Sequence, residues 1–417
     1  MRRLLGPAIL MALAACGGCD EVPAAAVTDC QAVGIASART DILFVVDDSG
    51  SMGEEQQNLA TSFGAFVQEL AALPSKSDFQ IGVTTTSIDE PASVSNLQDT
   101  FQRGGPNDGQ PYPKGALVAV RDDGLYLAEP RILRGDSPTL VQDFQRNVKV
   151  GTLGSGKEQG LRAALLAVTD RIADGKNAGF LRPGARLVVI VVSDEDDCSD
   201  PFGVGAPQIL GDPAQCHQAS VKNLGGTVPT PAGNLPATSL YMDAFNTTPL
   251  AGEVRPILVT TIVGVNQGSP PAPACGSTAA FCSASCTPGS GCDTACDRGD
   301  RYAQFEAVYG QTGLLDSICL PDFSATLRQI ATLIGQEVPL AQEPADWRLL
   351  TVSVAKPGGA TIPCVLGLAG AVVTPDVLYA PPTDTRSATL TFGGAGVSGT
   401  CTLQAGDQIS LKILCAG

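Results

Sequence analysis

The chain has 417 residues, of which 44% are hydrophobic and 16% charged, and its formal net charge is −16. This length exceeds that of a typical single domain, so we expect one large domain and one smaller one. A chain this acidic repels phosphate backbones, which argues against nucleic acid as a partner. Its apolar content is too high for a disordered protein.

The N-terminus has the pattern of an export signal. Arg2 and Arg3 precede an apolar stretch over residues 4–13. This stretch has the length of a signal core and is too short to span a bilayer. Cleavage at an ordinary secretory site a few residues further on is one interpretation of this pattern.

The run LAAC that ends at Cys16 supports a more specific interpretation. It resembles the lipobox of bacterial lipoproteins, in which the signal is removed before the Cys and the Cys is acylated. The resemblance implies a signal peptide over residues 1–15 and a lipid anchor on Cys16, because several acyl chains on one residue hold a protein stably at a membrane. Gly17 stands where an inner-membrane retention signal would place Asp. We therefore expect an outer-membrane lipoprotein of the cell envelope.

The cysteine content agrees with export. The chain has 14 cysteines, and 13 remain when Cys16 is set aside. In an oxidising compartment most of these form disulfide bonds, whose pairing the sequence leaves open. Five cysteines lie between residues 275 and 296, without a Cys-x₂-Cys pair or a nearby histidine. This spacing favours disulfides over a zinc site.

From residue 39 onward, apolar runs typical of buried strands alternate with segments of helical periodicity. The predicted strands are residues 41–46, 79–86, 186–192 and 256–264, and the predicted helices are residues 54–73, 157–173 and 323–336. Strands alternating with helices form a mainly parallel sheet. We therefore predict a doubly wound α/β domain over residues 39–337, with ligands bound beyond the carboxyl ends of its strands.

The remaining segments lack this alternation. Three Gly/Pro-rich stretches, residues 87–137, 199–235 and 266–299, are predicted to be loop insertions in the α/β domain. Residues 16–38 are small and polar, which predicts a tether between lipid and domain. Short β-prone runs separated by turn residues predict a small all-β module over residues 338–417.

The loop DDSGS, residues 47–51, follows the strand 41–46 and precedes the helix 54–73. By itself this run is equally typical of a turn that caps the next helix. Carboxylate and hydroxyl oxygens in a tight loop are also the ligands that hard divalent cations prefer. The longer run DILFVVDDSGSM resembles the first strand and the metal-ion-dependent adhesion site of the von Willebrand factor type A (vWA) family, whose motif is Asp-x-Ser-x-Ser.

The resemblance implies a role for each residue of the motif. The hydroxyls of Ser49 and Ser51 bind the ion directly, and Asp47 acts through water or a short hydrogen bond. The family takes a further Asp from the end of a later apolar strand, where this chain has Asp194. The implied ion is Mg²⁺, with Mn²⁺ or Ca²⁺ as alternatives.

The family's remaining ligand is a Thr that precedes a helix and stands six residues before a Leu. Counting back from Leu161 selects Ser155, whereas residue type selects Thr152. We choose Ser155 on spacing and keep Thr152 as the alternative. Asp196 and Asp197 follow Asp194 closely in the sequence. Each is an alternative to Asp194 as a ligand, or a ligand for a second cation.

These features together predict a binding protein rather than an enzyme. In the vWA family a carboxylate of the partner completes the coordination of the ion, so we expect a protein or surface ligand that presents a carboxylate. The alternative is a structural scaffold in which the metal only stabilises the fold. Catalysis would depend on His217, the only histidine, which has no nucleophile pattern beside it.

Overall fold

The computed structural model describes residues 27–416 with gaps at 37, 75–76, 94–95, 127–128, 200–227, 231–232, 236–237, 266–298, 310–313, 384–386 and 395. The predicted signal over residues 1–15, the predicted lipidation site Cys16 and His217 lie outside the described residues. So does most of the predicted insertions 199–235 and 266–299.

The described strands are, in chain order, β1 (Val27–Ala32), β2 (Ala38–Val46), β3 (Ser77–Thr85), β4 (Glu90–Ser93), β5 (Asn96–Gln98), β6 (Ile132–Arg134), β7 (Arg186–Ser193), β8 (Val228–Thr230), β9 (Gly233–Leu235), β10 (Ile257–Val263), β11 (Leu314–Ser317), β12 (Glu337–Pro339), β13 (Leu350–Ala355), β14 (Thr361–Cys364), β15 (Leu366–Gly367), β16 (Val377–Ala380), β17 (Thr389–Thr391) and β18 (Gln408–Ala416). The described α-helices are α1 (Gly53–Ala72), α2 (Leu140–Asn147), α3 (Gly160–Val168), α4 (Asp170–Ala173), α5 (Thr238–Thr247), α6 (Asp300–Tyr309) and α7 (Ser324–Ile334), and a 3₁₀ turn spans Trp347–Leu349.

A six-stranded, mainly parallel sheet forms the centre of the fold. Its strand order is β11-β10-β7-β2-β3-β6. Every neighbouring pair is parallel except β3 with β6, which is antiparallel. The prediction of an α/β protein with a mainly parallel sheet is confirmed.

Helices cover both faces of this sheet. Along β2, the side chains of Ile42, Phe44 and Val46 pack on one face with α1, α2 and α7. The alternate side chains, Leu43 and Val45, pack on the other face with α3, α5 and α6. A strand buried on both faces is apolar at nearly every position, which is why its unbroken apolar run identified it in the sequence.

Two local predictions differ from the structure. The predicted helix 157–173 is instead α3 followed by the short α4, and residues 157–159 belong to the preceding loop. The predicted insertion 87–137 contributes the edge strand β6, which pairs with β3. A three-residue strand in an irregular region carries too little periodicity to be recognised from sequence.

The C-terminal strands and β1 form two four-stranded sheets, with the orders β1-β18-β13-β14 and β12-β17-β16-β15. Alternate residues of β13, among them Val352 and Val354, are buried in a core of their own. A disulfide bond joins Cys364 to Cys401 across 37 positions of the sequence. Such a cross-link stabilises the region by restricting its unfolded chain.

The predicted tether over residues 16–38 needs correction at its C-terminal end. Residues 27–32 form β1, which pairs antiparallel with the last strand, β18. The Val33 amide continues this pairing by donating to the Leu411 carbonyl at 3.0 Å. Pairing with β1 leaves β18 flanked by strands on both sides. This contact between the two ends of the described chain is non-local, so composition did not reveal it.

None of the described helices is both long and apolar enough to cross a membrane.

Candidate functional site

The candidate site lies beyond the carboxyl ends of three neighbouring parallel strands. Residues 47–51 follow β2, residues 86–89 follow β3, and residues 194–197 follow β7. The loop over residues 151–159, which precedes α3, packs against them. The fold therefore brings together the three segments that the sequence had associated with one another, which are residues 47–51, the loop before α3 and the segment that begins at Asp194.

Hydrogen bonds from several segments fix the Asp47 carboxylate. Its Oδ2 accepts from the Ser193 hydroxyl at 2.6 Å, and its Oδ1 accepts from the Ser49 amide at 2.8 Å. The Thr86 hydroxyl approaches Oδ1 at 3.5 Å. Burial raises the pKa of Asp47, and these donors, Ser193 first, partly offset that rise. The carboxylate is held in one orientation at the end of β2.

Asp48 connects the first loop to two others. Its Oδ1 accepts from the Ser87 hydroxyl at 2.7 Å, and its backbone carbonyl accepts from the Gly154 amide at 2.8 Å. Burial raises the pKa of Asp48 to about 7; the Ser87 hydrogen bond lowers it and the charge of Asp47 raises it further. A side chain at residue 154 would collide with the Asp48 carboxylate, so the close approach of the loops requires glycine there.

The Gln56 side chain joins the first loop to the loop before α3. Its Nε2 donates to the carbonyls of Asp47, at 2.9 Å, and Gly151, at 2.8 Å. Its Oε1 accepts from the Gly151 amide at 3.1 Å. One buried amide therefore satisfies backbone groups of both loops and sets their separation. Gln56 belongs to no motif in the sequence, so only the tertiary structure reveals this role.

The two candidates for the third hydroxyl ligand have different surroundings. Ser155 is buried, and its hydroxyl is within hydrogen-bonding distance of the Asp89 carbonyl and the Lys157 amide, each at 3.0 Å. The Thr152 methyl carbon lies 3.8 Å from the position that a Cβ would occupy at Gly53, where α1 begins. The Ser155 hydroxyl thus makes contacts of its own with the loops around it, and both assignments stay predictions.

Other oxygens of the predicted ligand set are buried without a hydrogen-bond partner. These are Oγ of Ser49 and both carboxylate oxygens of Asp194. Burial is the main cause that raises the pKa of Asp194 well above its usual range, and the charge of Asp47 adds to it. The nearby Ser51 hydroxyl lowers this pKa in part. The Ser51 hydroxyl makes no hydrogen bond to Asp194, so both carboxylate oxygens are unpaired.

Asp196 and Asp197 make structural contacts. Oδ1 of Asp197 accepts from the Leu161 amide at 3.1 Å, in the first turn of α3. Its Oδ2 pairs with Nε of Arg301 at 3.3 Å, and the side chains of this pair are 0% and 1% exposed. Asp196 accepts from the Arg301 amide at 2.9 Å. These contacts give both carboxylates a role in joining α3 to α6.

Two glutamates that were not predicted from the sequence lie beside Asp47. Glu158 is buried, and Glu195 is half-buried directly after Asp194. Burial raises the pKa of Glu158 well above its usual range, and the charges of Glu195 and Asp47 add to that rise. Burial also raises the pKa of Glu195 to about 7. The acidic run SDEDD was the only signal in the sequence, and it did not separate Glu195 from its neighbours.

The donor set fits a hard divalent cation. Unpaired hydroxyl and carboxylate oxygens, buried together, are the groups that Mg²⁺ and Ca²⁺ coordinate. Within the described part of the chain, no three His, Cys, Asp or Glu side chains form a metal-binding group. A site here therefore depends on serine hydroxyls as well as carboxylates.

Comparisons with known proteins give only weak similarities. No family model matches the chain, and no curated protein matches it. Similar structures include the pilus adhesin SpaC from Lactobacillus rhamnosus GG in its open conformation (11% identity, TM-score 0.35, covering 92% of this chain and 39% of the adhesin). A second is proximal thread matrix protein 1 of the mussel byssus (13% identity, TM-score 0.28, covering 73% of this chain and 49% of that protein). A third is the human COPII-coat protein Sec24c (10% identity, TM-score 0.31, covering 92% of this chain and 44% of that protein).

The match to each of these structures covers less than half of that protein's length. TM-scores this low carry no argument about fold or function.

Proposed function

We propose that this chain is an outer-membrane lipoprotein, anchored through Cys16, whose central domain has a vWA fold and binds a divalent cation at Asp47, Ser49, Ser51 and Asp194. The domain spans residues 39–337. Mg²⁺ is the expected ion, with Mn²⁺ or Ca²⁺ as alternatives, and Ser155 is the expected fifth ligand. The cation site serves binding to another molecule and not catalysis.

The observation that carries this proposal is the set of buried oxygens without partners. Ser49 and Asp194 are 2% and 0% exposed, and three of their side-chain oxygens have no hydrogen bond. Burying a carboxylate away from water is costly unless a cation or a donor compensates it. A divalent cation at the ends of β2 and β7 supplies that compensation.

Exposure around the first loop supports access from one side. Gly50 is exposed and Ser51 is half-buried, whereas the other residues of the loop are buried. When bound, the cation supplies a position that a carboxylate of a partner is able to fill. We therefore propose that the partner is a protein or surface ligand presenting a carboxylate, which approaches over Gly50 and Ser51.

A scaffold function is the second candidate, and the burial of the site favours it. The side chains at the site are at most 2% exposed, namely those of Asp47, Asp48, Ser49 and Asp194. Such burial is expected of a site whose cation only stabilises the loops. The C-terminal strands are proposed as a small all-β module over residues 338–417. The two functions differ in whether removal of the cation abolishes binding to a partner.

The experiment is affinity capture from outer-membrane extracts with the full-length protein, in Mg²⁺ and in EDTA. Asp194→Asn serves as the site variant and Asp136→Asn, at an exposed ion pair, as the control. If the cation mediates partner binding, the wild type and the control variant capture a partner in Mg²⁺. Capture is then lost in EDTA and in Asp194→Asn. Capture that persists in EDTA would overturn the adhesion mechanism. A cation-dependent rise in melting temperature without cation-dependent capture would favour the scaffold.

A further inference from the structure

Glu158 occupies an unusual position for a carboxylate. It is 0% exposed, and neither of its carboxylate oxygens has a hydrogen-bond donor. Its backbone is held firmly, because its carbonyl accepts from the Cys198 amide at 2.6 Å and the next residue, Gln159, donates its amide to Thr86 at 3.1 Å. The loops after β3 and β7 therefore hold this side chain in the interior.

The carboxyl of Glu158 faces acidic neighbours. It contacts the carboxyl of Glu195 and feels the charge of Asp47. The Glu195 backbone is fixed in turn by Ser193, whose hydroxyl accepts from the Glu195 amide at 3.3 Å and donates to Asp47 at 2.6 Å. The repulsion between two carboxyls in contact is relieved by a shared proton or by a cation between them.

Basic side chains near this pair have carboxylates of their own. Lys157 pairs with Asp89 at 3.2 Å, and Arg301 pairs with Asp197 at 3.3 Å. The exposed Arg103 acts on Glu195 from the solvent side, where it lowers the pKa of that carboxyl. The buried Glu158 carboxyl lies on the inner side of the pair.

We propose that Glu158 and Glu195 hold a second divalent cation next to the one assigned to Asp47, Ser49, Ser51 and Asp194. This inference rests on the proposed function, because it places two cations side by side at one edge of the sheet. Carboxylate oxygens suit Mg²⁺ and Ca²⁺, and Mg²⁺ binds through as few as two carboxylates while keeping its waters. The second cation neutralises charge that a single divalent ion would leave on four neighbouring carboxylates.

The test is the number of cations bound per chain. The full-length protein, first freed of metal with EDTA, is dialysed to equilibrium against Mg²⁺ or Ca²⁺ at pH 7.5. The buffer contains enough NaCl to suppress loose binding by a chain of net charge −16. Bound metal is then measured by mass spectrometry. Glu158→Gln and Glu195→Gln preserve side-chain size and remove charge, and Glu343→Gln, at an exposed position, is the control.

We expect two cations for the wild type and for Glu343→Gln, and one for Glu158→Gln and for Glu195→Gln, with folding checked by circular dichroism. One cation in the wild type would overturn the second site and leave a shared proton between the glutamates, while the proposed function would stand. Two cations in both site variants would also overturn it. No bound cation in the wild type would refute the proposed function itself.

Discussion

The Ser193 hydroxyl donates a 2.6 Å hydrogen bond to Oδ2 of Asp47 and thereby ties together the ends of the adjacent parallel strands β7 and β2. Both residues are fully buried. Because the carboxylate also accepts from the Ser49 amide, its orientation is fixed before any cation arrives. Such preorganisation is what outer hydrogen bonds contribute to metal sites.

Ser193→Ala removes this hydrogen bond without adding bulk. A hydrogen bond to a charged group contributes roughly 1.5–3 kcal/mol, and loss of an outer contact typically weakens metal binding about 10- to 100-fold. We expect a loss in that range for Mg²⁺ affinity, measured by isothermal titration calorimetry. Ser410→Ala, at an exposed position of β18, is the control and should bind as the wild type does. Equal affinities in wild type and Ser193→Ala would contradict this role.

Gly154→Ala tests the close approach of the two loops. The added methyl would collide with the Asp48 carboxylate, which Ser87 holds in place. Overpacking of this kind typically costs about 1–3 kcal/mol. We expect a lower denaturation midpoint and weaker cation binding. Gly64→Ala, in α1 with no atom within 4 Å of the new methyl, should instead leave stability unchanged or slightly raised.

The raised pKa values predict how stability depends on pH when no metal is present. Burial raises the pKa of Asp48 from 3.8 to about 7, and that of Glu195 from 4.5 to about 7. The folded chain therefore holds these protons more tightly than the unfolded chain. The stability that the two protonated carboxyls contribute is fully present below pH 3.8 and is lost as the pH rises to about 7. The free energy lost is about 1.4 kcal/mol for each unit by which the folded and unfolded pKa values differ.

In EDTA we accordingly expect the melting temperature to fall between pH 5 and pH 7, by roughly 2 °C for each kcal/mol lost. A divalent cation takes the place of the protons, so adding Mg²⁺ should raise the melting temperature more at pH 7 than at pH 5. Asp48→Asn removes one of these ionisable carboxyls, so its melting temperature should decline less steeply with pH than that of the wild type. A melting temperature in EDTA that is constant or rises over this range would refute the account of these carboxyls.

The buried pair between Asp197 and Arg301 predicts a large effect on stability. Arg301→Met leaves the Asp197 carboxylate in the interior without this partner, which typically costs about 3–5 kcal/mol. The control is Arg348→Met at the exposed pair with Asp346, where the Arg348 side chain is 73% exposed and little change is expected. Urea denaturation measures both variants, and a small shift for Arg301→Met would show that the pair contributes little.

The parts of the fold that the sequence predicted are those with a local signal. Strands β2 and β7 are buried on both faces, so their apolar runs were unmistakable, and the loop at residues 47–51 followed from its place after β2. Strand β1 was missed because its pairing with β18 joins distant segments. The contact between Glu158 and Glu195 was missed for the same reason, since it arises only when the loop before α3 meets the end of β7.

Residue type was also a poor guide to which oxygens are unpaired. Ser155 matches the vWA spacing, yet its hydroxyl makes contacts with Asp89 and Lys157. Asp196 and Asp197 resemble cation ligands in sequence, yet they support Arg301. Hydrogen-bond partners depend on the tertiary structure, and spacing along the chain does not contain that information.

The most direct test of the cation site is calorimetric titration of the metal-free, full-length protein with Mg²⁺ and Ca²⁺ at pH 7.5. The wild type should bind with saturation, and Asp194→Asn should weaken binding at the Asp47 site at least about 100-fold, since it removes a ligand and not only an outer contact. Asp136→Asn should bind like the wild type. Absence of saturable binding in the wild type, or equal affinity in Asp194→Asn, would contradict the assignment of this site.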